Sequence, residues 1–486
     1  MKKILFLLIF LYSATFLNAQ PCQEVVAYYA SWKWYDRDKL VNPSTIDFSK
    51  YTIINYAFFK PQANGVIVPG DTWADSKLLG NSEYNSNLVE EARLNGVRVC
   101  ISIGGYTWSD SFPVLASSVV TRKKFAIECS RIIRKYNVDG VDIDWEYPGY
   151  KAHGGSEQDK TNFTLLLKEI RSQLDLLELE LNKSLILSIA SGVSRTHINS
   201  IEWEKVEPLV DMVNLMTYNY SGPWDRFTNH HTPLFCSDQN LSLTSVDASL
   251  KYLINEKGFD SDKINLGMAF YARTAITLKD ASLHSRSDMR PDDKTFRSDK
   301  GAPEYYNVLL NSHKYDYSWD DDCKVPFMTG KNGLKSFVSY DDPVSVGLKA
   351  GYVLSKKLRG AVIWELTGDY LETYPSSGLV GSTPLVSAIN SVFCSQQAAV
   401  ANSSSSDRKV STMPTFIFSE QMVIDCCEFG IVKGLLILDS KGNVVAQLKN
   451  LTGDEITLDT SKWNTGVYLL KLEADEQVHL KKVIKI

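Results

Sequence analysis

Long apolar segments, basic clusters and metal-ligand spacings are missing from the body of this 486-residue chain. After residue 19 no stretch reaches about 18 apolar residues, which argues against a membrane-spanning helix. Basic runs are absent, and 57 Asp and Glu outnumber 52 Lys and Arg, so we expect no nucleic-acid partner. Neither a CxxC nor an HExxH spacing occurs, and we therefore expect no metal site and no cofactor.

Cysteine is also sparse, with eight residues in the chain. Cys100 lies in an apolar strand and Cys129 on the apolar stripe of a helix, so both are predicted to fill the core. Of the others, one pair flanks the large domain and another falls in loops, which makes both pairs candidate disulfides of an exported protein. These pairs are Cys22 with Cys394 and Cys236 with Cys323.

The first 19 residues have the pattern of a secretory signal peptide. Lys2 and Lys3 form a charged start, an apolar segment follows from Ile4, and small residues precede Gln20. A membrane anchor is the alternative, but the apolar core is too short to span a bilayer comfortably. We therefore predict export, with residues 1–19 removed.

Eight apolar β-type runs alternate with helical segments along the chain. Most are apolar on both faces, as expected for a covered parallel sheet. Helical spacing marks 121–136, with Thr121 as its N-cap, and 158–181. The pattern predicts the α/β class and a (β/α)8 TIM barrel, with a doubly wound sheet as the alternative. The runs are 25–30, 52–59, 97–105, 138–146, 184–191, 211–219, 264–272 and 360–366.

Composition changes mark the other domain boundaries. The connection before the last run is too long for one loop, and 274–340 is predicted to be a small α+β insertion. A Ser-rich segment at 396–413 is predicted to be a linker that ends the catalytic domain of 20–395. Residues 414–486 alternate short strands with turn signals, which indicates a small all-β sandwich.

One run carries three carboxylates with a spacing of two. Asp142, Asp144 and Glu146 share one face of a strand, because side chains alternate between faces. A solvated outer face is the ordinary explanation of such a pattern, but the parallel β/α context points these groups into the barrel. Crowded carboxylates repel, so some remain protonated at neutral pH and can act as general acids. Glu146, at the mouth, is the candidate acid, while Asp144 and Asp142 can share a proton deeper in the barrel.

The segment DGVDIDWE at 139–146 resembles the signature DGxDxDWE of glycoside hydrolase family 18, the chitinases. Four further motifs follow the same family order, each at the end of a predicted strand. The resemblance covers about residues 24–394, and the 274–340 segment is similar to the insertion domain of the deep-cleft branch. The four motifs are SIGG at 102–105, MTYN at 216–219 with Gly222 and Trp224, YAR at 271–273, and WEL at 364–366 with Gly368 and Asp369.

The resemblance implies a retaining mechanism in which the substrate assists its own hydrolysis. Glu146 is expected to protonate the glycosidic oxygen and later activate water. Asp144 is expected to bind the acetamido N–H and stabilise an oxazolinium ion, with Asp142 holding the partner proton. Tyr218 is expected to position the acetamido oxygen, and Trp364 to form the floor under the sugar. Further substrate contacts are expected from Tyr28, Phe58, Gly105, Trp108, Met216, Asn219, Tyr271 and Arg273.

The sequence departs from the family pattern at Asn219, where the family often has Asp. The missing negative charge leads us to expect a less elevated pKa for Glu146 and an alkaline limb of activity at lower pH. Other aromatic residues in loops after strands are candidate sugar platforms, although packing explains each of them about as well: Trp32, Trp108, Trp224 and Trp319. Trp145 is predicted to face the helices. The seven histidines, including His230 and His231, show no ligand spacing and are interpreted as surface or loop residues.

The C-terminal segment resembles the sorting domain of the type IX secretion system. The shared features are a turn at 439–442, Gly466-Val467-Tyr468 before a strand, and a Lys-rich last strand ending at Lys485. The resemblance implies a secreted or surface-attached protein and the secretion machinery as a partner of 414–486. A chitin-binding sandwich is the alternative, but it would need exposed Trp, and only Trp463 lies here.

Chitin and N-acetylglucosamine oligosaccharides are the expected substrates of the barrel. A chitin lectin on the same fold is the first alternative, and it is disfavoured because the carboxylate triad, including Glu146, is present. An endo-β-N-acetylglucosaminidase acting on glycans is the second. Trp145 and the insertion favour chitin over that activity.

Overall fold

A computed structural model gives the structure of the chain. It describes residues 23–80, 84, 86–235 and 243–401, together with seven short C-terminal segments: 416–418, 421–425, 432–439, 444–449, 455–463, 466–474 and 477–485. The predicted signal peptide lies outside the described residues, as do Cys22 and Cys236, so neither predicted disulfide pair is described. The chain divides into two compact units, residues 1–390 and 391–486.

Eight parallel strands form the centre of the first unit. They pair in the order β1-β13-β8-β7-β6-β5-β4-β2, and pairing of β1 with β2 closes the sheet into a barrel. The predicted (β/α)8 barrel is therefore confirmed, and the doubly wound alternative is excluded. The barrel strands are β1 Glu24–Ala30, β2 Ile53–Pro61, β4 Arg98–Gly104, β5 Gly140–Asp144, β6 Ile186–Ser191, β7 Met212–Leu215, β8 Ile264–Ala269 and β13 Gly360–Trp364.

Burial explains why these strands read as continuous apolar runs. Nearly every barrel-strand residue is buried, because the helices cover the outer face and side chains fill the inner one. A short strand, β3 Ile67–Pro69, extends β2 as an antiparallel hairpin. The free thiols of Cys100 and Cys129 are fully buried, as predicted for core residues.

The helices surround the barrel. The long helix predicted at 121–136 begins two residues earlier, because Ser118 and not Thr121 accepts the capping N–H, from Val120. The helices are α1 Thr72–Leu78, α2 Leu88–Leu94, α3 Phe112–Ser117, α4 Val119–Tyr136, α5 Asp159–Leu181, α6 Arg195–Asn199, α7 Trp203–Val206, α8 Val246–Lys251, α9 Tyr305–Asn311, α10 Pro343–Ser355 and α11 Pro384–Ala401. Helix α11 therefore covers the first six residues of the predicted Ser-rich linker. Within the described ranges, no helix is both long and apolar enough to cross a membrane.

The insertion before the last barrel strand is a separate antiparallel sheet. Its strands pair in the order β10-β11-β12-β9, and α9 lies between β9 and β10 in the chain. The bounds are β9 Arg273–Ile276, β10 Tyr315–Asp320, β11 Val325–Gly330 and β12 Ser336–Ser339. This agrees with the α+β insertion predicted at 274–340. A small two-stranded sheet, β14 Leu371–Glu372 with β15 Val380–Ser382, follows the last barrel strand.

The described C-terminal segments are all strands or turns, in agreement with the predicted all-β module. Five strands form one sheet in the order β16-β22-β21-β18-β19, and β17 pairs with β20 in another. Leu435 and Ile437 of the larger sheet share an apolar cluster with Ile456 of the smaller one. Trp463 packs against this cluster. The bounds are β16 Phe416–Phe418, β17 Gln421–Asp425, β18 Val432–Asp439, β19 Val444–Lys449, β20 Glu455–Asp459, β21 Gly466–Ala474 and β22 Gln477–Lys485.

Candidate active site

A cleft of about 1310 Å³ lies at the carboxyl ends of the barrel strands. This is the end where barrels of this type carry their sites. The residues to which the family resemblance assigns catalysis or substrate contact all line the cleft, except Asp142, which is fully buried below it. The lining residues from that set are Tyr28, Phe58, Gly105, Trp108, Asp144, Glu146, Met216, Tyr218, Asn219, Tyr271, Arg273 and Trp364.

Asp142 is held by four hydrogen-bond donors on four different strands. Its Oδ2 accepts from the Tyr28 hydroxyl at 2.8 Å and the Ser102 hydroxyl at 2.7 Å. Its Oδ1 accepts from the Ser188 hydroxyl at 2.6 Å and the Asn214 amide at 3.1 Å. Burial raises the pKa of Asp142, and these donors act in the opposite direction. All its acceptor positions are thus directed at barrel residues, and the group anchors the carboxylate row.

Removing the Asp142 carboxyl is expected to destabilise the barrel strongly. Asp142→Ala leaves four buried donors without their acceptor, and we expect a loss of about 3 kcal/mol or more in the free energy of unfolding. Urea denaturation measures this loss. Asp139→Ala is the matched control, because Asp139 begins the same segment but bonds only the Val99 N–H and Lys183, for an expected loss of about 1 kcal/mol. Equal losses for the two variants would contradict this account of Asp142.

Asp144 lies nearer the cleft than Asp142, and its hydrogen bonding is the opposite of that of Asp142. It is buried, and its Oδ1 has no hydrogen-bond partner among the described residues. Burial, followed by the charges of Glu146 and Asp142, raises its pKa well above the ordinary value. Burial and the neighbouring carboxylates therefore favour the protonated form of Asp144, and one of its oxygens is available to a ligand.

Glu146 follows the end of β5, and its main chain is fixed on both sides. Its N–H donates to the Ser109 hydroxyl at 2.8 Å, and its carbonyl is 2.8 Å from Nδ1 of His153. Burial raises the pKa of Glu146 to about 7, against smaller lowering effects of the Tyr147 hydroxyl and the Tyr106 main chain. A carboxylic acid with this pKa retains its proton near neutral pH, as a general acid requires.

The Tyr147 hydroxyl gives a test of this pKa. If Glu146 acts as a general acid, as the sequence predicts, its active form is protonated, and kcat/KM is expected to fall as pH rises through about 7. Tyr147→Phe removes a group that lowers the pKa, and the alkaline limb should therefore move upward, by about half a pH unit. Tyr150→Phe, one turn away in the same aromatic cluster, serves as the control. Identical pH–rate profiles for Tyr147→Phe and the wild type would contradict the assignment.

Tyr218 enters the cleft beside the carboxylates. It is buried, and burial raises its pKa well above the ordinary value, so its hydroxyl remains a donor throughout the physiological range. Its ring packs edge-on against Tyr271 at 6.0 Å. Asn219, the next residue, has a left-handed backbone (φ 62°), and its Oδ1 accepts from the Tyr271 hydroxyl and from Nε of Arg273, each at 2.8 Å.

Asn219 does not contact Glu146, and this limits the pH effect expected from the sequence. An aspartate at 219 would lie against Arg273, which would neutralise most of its charge. The predicted upward shift of the alkaline limb in Asn219→Asp therefore stays a prediction, with an expected size smaller than the effect of Tyr147→Phe.

Two histidines lie behind this part of the site, in a loop as the sequence allowed but not at the surface. His230 and His231 are both buried. Nδ1 of His231 accepts the Asn219 N–H at 3.1 Å, which fixes the left-handed residue. Burial, with Arg273 and Lys349 as further causes, lowers the pKa of His231 well below its ordinary value. The sequence gives no sign of this, because the two residues meet only through the fold.

A wall of aromatic rings forms one side of the cleft. The Trp364 ring lies 5.6 Å from Phe58, nearly parallel, and 5.4 Å from Tyr28. Trp32 is partly exposed to solvent, and its ring stacks on that of Phe58 at 5.9 Å. Flat apolar faces of this kind suit the faces of sugar rings. The close packing depends on Gly105 (φ +79°), because a Cβ at this position would lie 2.6 Å from the Phe58 ring.

The other candidate platforms divide into two groups. Trp32, Trp108 and Trp224 line the cleft. Trp319 does not; it lies half-buried on β10 of the insertion. Trp145 stacks on Phe112 at 5.2 Å on the helical side of β5, as predicted.

Sequence reasoning missed a second group of charged residues in the cleft. Lys33 forms an ion pair with Glu304, and the charge of the neighbouring Glu365 raises the pKa of Glu304. The pKa of Glu304 is about 8, with burial as the main cause and the Glu365 charge as the second. These residues come from three distant segments, so no local motif could reveal them.

The barrel residues that hold Asp142 were also missed. A polar residue at an inward position of an apolar strand, such as Ser188 or Asn214, is the signal that could have indicated them.

One group of side chains has metal-ligand character. Ligand atoms of His230, Asp320 and Cys323 lie within 4.8 Å of one another. Nε2 of His230 is already hydrogen-bonded to Asp320 at 2.8 Å, and we assign no metal here. Cys323 is also the predicted disulfide partner of Cys236, which lies outside the described residues.

The row of buried carboxylates on β5 and the aromatic cleft agree with the family that the comparison identifies. Residues 24–369 match the model of glycosyl hydrolases family 18. The chain belongs to this family. Residues 423–486 match the secretion system C-terminal sorting domain, which marks the family 18 enzyme for export to the surface or the medium.

Relatives of the family 18 enzyme have more than one activity in their names. Chitinase A1 of Niallia circulans is 32% identical over 408 residues, which cover 73% of this chain and 58% of that protein. Catalytic domain 2 of the Group II chitinase of Ostrinia furnacalis superposes with a TM-score of 0.67 and 28% identity, covering 76% of this chain and 96% of that one. A family 18 N-acetylglucosaminidase of Paenibacillus barengoltzii gives 0.62 and 27%, covering 76% and 99%. The chain thus spans little more than half the length of Chitinase A1.

Proposed function

We propose that the chain is an exported chitinase, which hydrolyses β-1,4 bonds between N-acetylglucosamine units with retention of configuration. The observation that carries the proposal is the pairing of two carboxyl groups with raised pKa values at the cleft. Glu146, with a pKa of about 7, can donate a proton, and Asp144, more strongly shifted, has an unpartnered oxygen.

The first step is departure of the leaving sugar. Glu146 donates its proton to the glycosidic oxygen, and the bond from this oxygen to the anomeric carbon breaks. The 2-acetamido carbonyl of the same sugar attacks that carbon, so the protein needs no nucleophile of its own. The Tyr218 hydroxyl holds the acetamido oxygen in place for the attack, and Trp364 supports the face of the sugar.

The intermediate is a positively charged oxazolinium ion. The free oxygen of Asp144 accepts the acetamido N–H, its own proton passes to the neighbouring Asp142 carboxylate, and the ionised Asp144 stabilises the positive charge. Asp142, held by four donors, keeps the row of carboxylates in register. Glu146, now ionised, removes a proton from water as it attacks the anomeric carbon, which restores the acid.

The C-terminal unit supports a role in export and not in chitin binding. Its one tryptophan, Trp463, packs against the apolar cluster of the unit and contacts the Tyr468 ring at 5.1 Å. A chitin-binding surface needs exposed aromatic faces. We infer that residues 414–486 are recognised by the type IX secretion machinery and that the barrel acts outside the cell.

The substrate test compares three glycans with the mature full-length chain: chitohexaose, cellohexaose and a high-mannose N-glycan. We expect chito-oligosaccharide products from the first and no products from the second, which lacks the acetamido group. Binding of chitohexaose without turnover would favour a lectin. Faster cleavage of the N-glycan than of chitohexaose would favour an endo-β-N-acetylglucosaminidase.

A further inference from the structure

Arg273 is a cation of the cleft whose surroundings are neutral. Its Nε donates to the Asn219 amide oxygen at 2.8 Å. Its guanidinium carbon lies 5.4 Å from the centre of the Trp224 ring and 5.2 Å from that of Tyr271. An amide and two aromatic rings orient a guanidinium group but leave its charge uncompensated.

Two other cations of the cleft, Lys33 and Arg37, are already engaged. Lys33 forms ion pairs with Glu304 and Asp36. The two terminal nitrogens of Arg37 donate to the carbonyls of Tyr370 and Thr367. In contrast, within the described part of the chain no carboxylate pairs with Arg273, whose hydrogen-bonding neighbours are the neutral Asn219 amide and Tyr271 hydroxyl. The influences on the Glu146 pKa do not include Arg273 either.

A buried neighbour is affected by this positive charge. After burial, Arg273 is the next cause of the lowered pKa of His231, followed by Lys349. Lys349 forms an ion pair with Asp341 at 2.6 Å, whereas Arg273 has no carboxylate partner among the described residues. The region behind Asn219 is therefore electropositive, although the carboxylates of β5 make the floor of the cleft acidic.

We propose that Arg273 binds a carboxylate carried by a sugar of the substrate, and that N-acetylated glycans with acidic substituents are substrates alongside neutral chitin. This inference rests on the proposed function, because it assigns a second substrate class to the same cleft. Asn219 occupies Nε, and the edge formed by the two terminal nitrogens of the planar guanidinium has the geometry that binds a carboxylate with two hydrogen bonds. An aspartate at position 219 would compete for these donors, and the asparagine leaves them available.

Two soluble polymers that differ in the charge of their substituents test this proposal. Glycol chitin and carboxymethyl chitin both carry a short substituent on the sugar hydroxyls, but only the second is anionic. The readout is the ratio of kcat/KM for carboxymethyl chitin to that for glycol chitin. For the wild type this ratio should fall as salt is added, since screening weakens the attraction.

Three variants test the charge. Asn219→Asp supplies an internal carboxylate to Arg273, and we expect the ratio to fall about fivefold. Arg273→Gln removes the charge and should lower the ratio by a similar factor. Arg273→Lys keeps the charge, and its ratio should stay close to that of the wild type. Melting temperatures establish that each variant is folded, and the salt titration of the wild type needs no variant.

The outcomes separate the two proposals. A ratio that is unchanged by salt, by Asn219→Asp and by Arg273→Gln would overturn the role of Arg273, with chitinase activity intact. Failure of the wild type to cleave glycol chitin would overturn the proposed function itself.

Discussion

Glu146→Gln is expected to lower kcat for chitohexaose by about 10³-fold while leaving KM within a small factor of the wild-type value. Glutamine has nearly the same shape as glutamic acid, so the sugar still fits between the aromatic wall and Tyr218. It has no proton that it can transfer to the glycosidic oxygen, and it cannot activate water in the second step.

The structure indicates that this loss of kcat comes from the chemical step and not from a change in the fold. The main chain of Glu146 is held by Ser109 and His153, and neither contact involves the side chain that is changed. Burial is the main cause of the raised pKa, so the wild-type group is poised as an acid by its surroundings. The bell-shaped pH profile should lose its alkaline limb in the variant, because the group that titrates near pH 7 is gone.

Glu180→Gln is the matched control, because Glu180 is exposed on α5 and paired with Arg134 at the surface. It should leave kcat and KM unchanged. A Glu146→Gln enzyme that keeps more than about a tenth of the wild-type kcat would contradict the role of Glu146 as general acid.

The second large effect concerns Asp144. Asp144→Asn keeps an oxygen that can accept the acetamido N–H, but the amide cannot become negative when the oxazolinium ion forms. We expect kcat to fall about 10²-fold or more, with a smaller change in KM, since the lost interaction belongs to the charged state.

The pH profile distinguishes this loss from a structural defect. The raised pKa of Asp144 favours its protonated form in the free enzyme, and its charge is not among the causes of the Glu146 pKa. The alkaline limb of Asp144→Asn should therefore remain near pH 7 while the whole profile drops. Asp139→Asn, at the residue just before β5, is the control and should retain wild-type kcat. Equal losses of kcat in the two variants would show that Asp144 acts only through the fold.

The barrel and the carboxylate row were predictable because they obey local rules. Strands buried on both faces appear as apolar runs, and the period of two places Asp142, Asp144 and Glu146 on one face whatever the rest of the chain does. The family motifs extended this to Tyr218 and Trp364, which do line the cleft with Asp144 and Glu146.

Contacts between distant segments could not be predicted in the same way. Asp142 is surrounded by donors from strands separated by 40 to 114 residues. Lys33 meets Glu304 only because the insertion folds back over the first barrel loop. The contact between His231 and Asn219 likewise depends on the fold. The loop position of His231 in the sequence suggested a surface residue instead. Each of these depends on closure of the barrel and not on any local pattern.

The most direct test of the central claim is a series of aryl chitobiosides with increasingly fluorinated N-acetyl groups. Fluorine withdraws electrons from the acetamido carbonyl and weakens it as a nucleophile, while the glycosidic bond and leaving group stay the same. If the substrate's own carbonyl attacks the anomeric carbon, kcat/KM must fall steeply with each added fluorine. A rate that does not depend on fluorination would show that a protein group is the nucleophile and would contradict the mechanism proposed for Glu146 and Asp144.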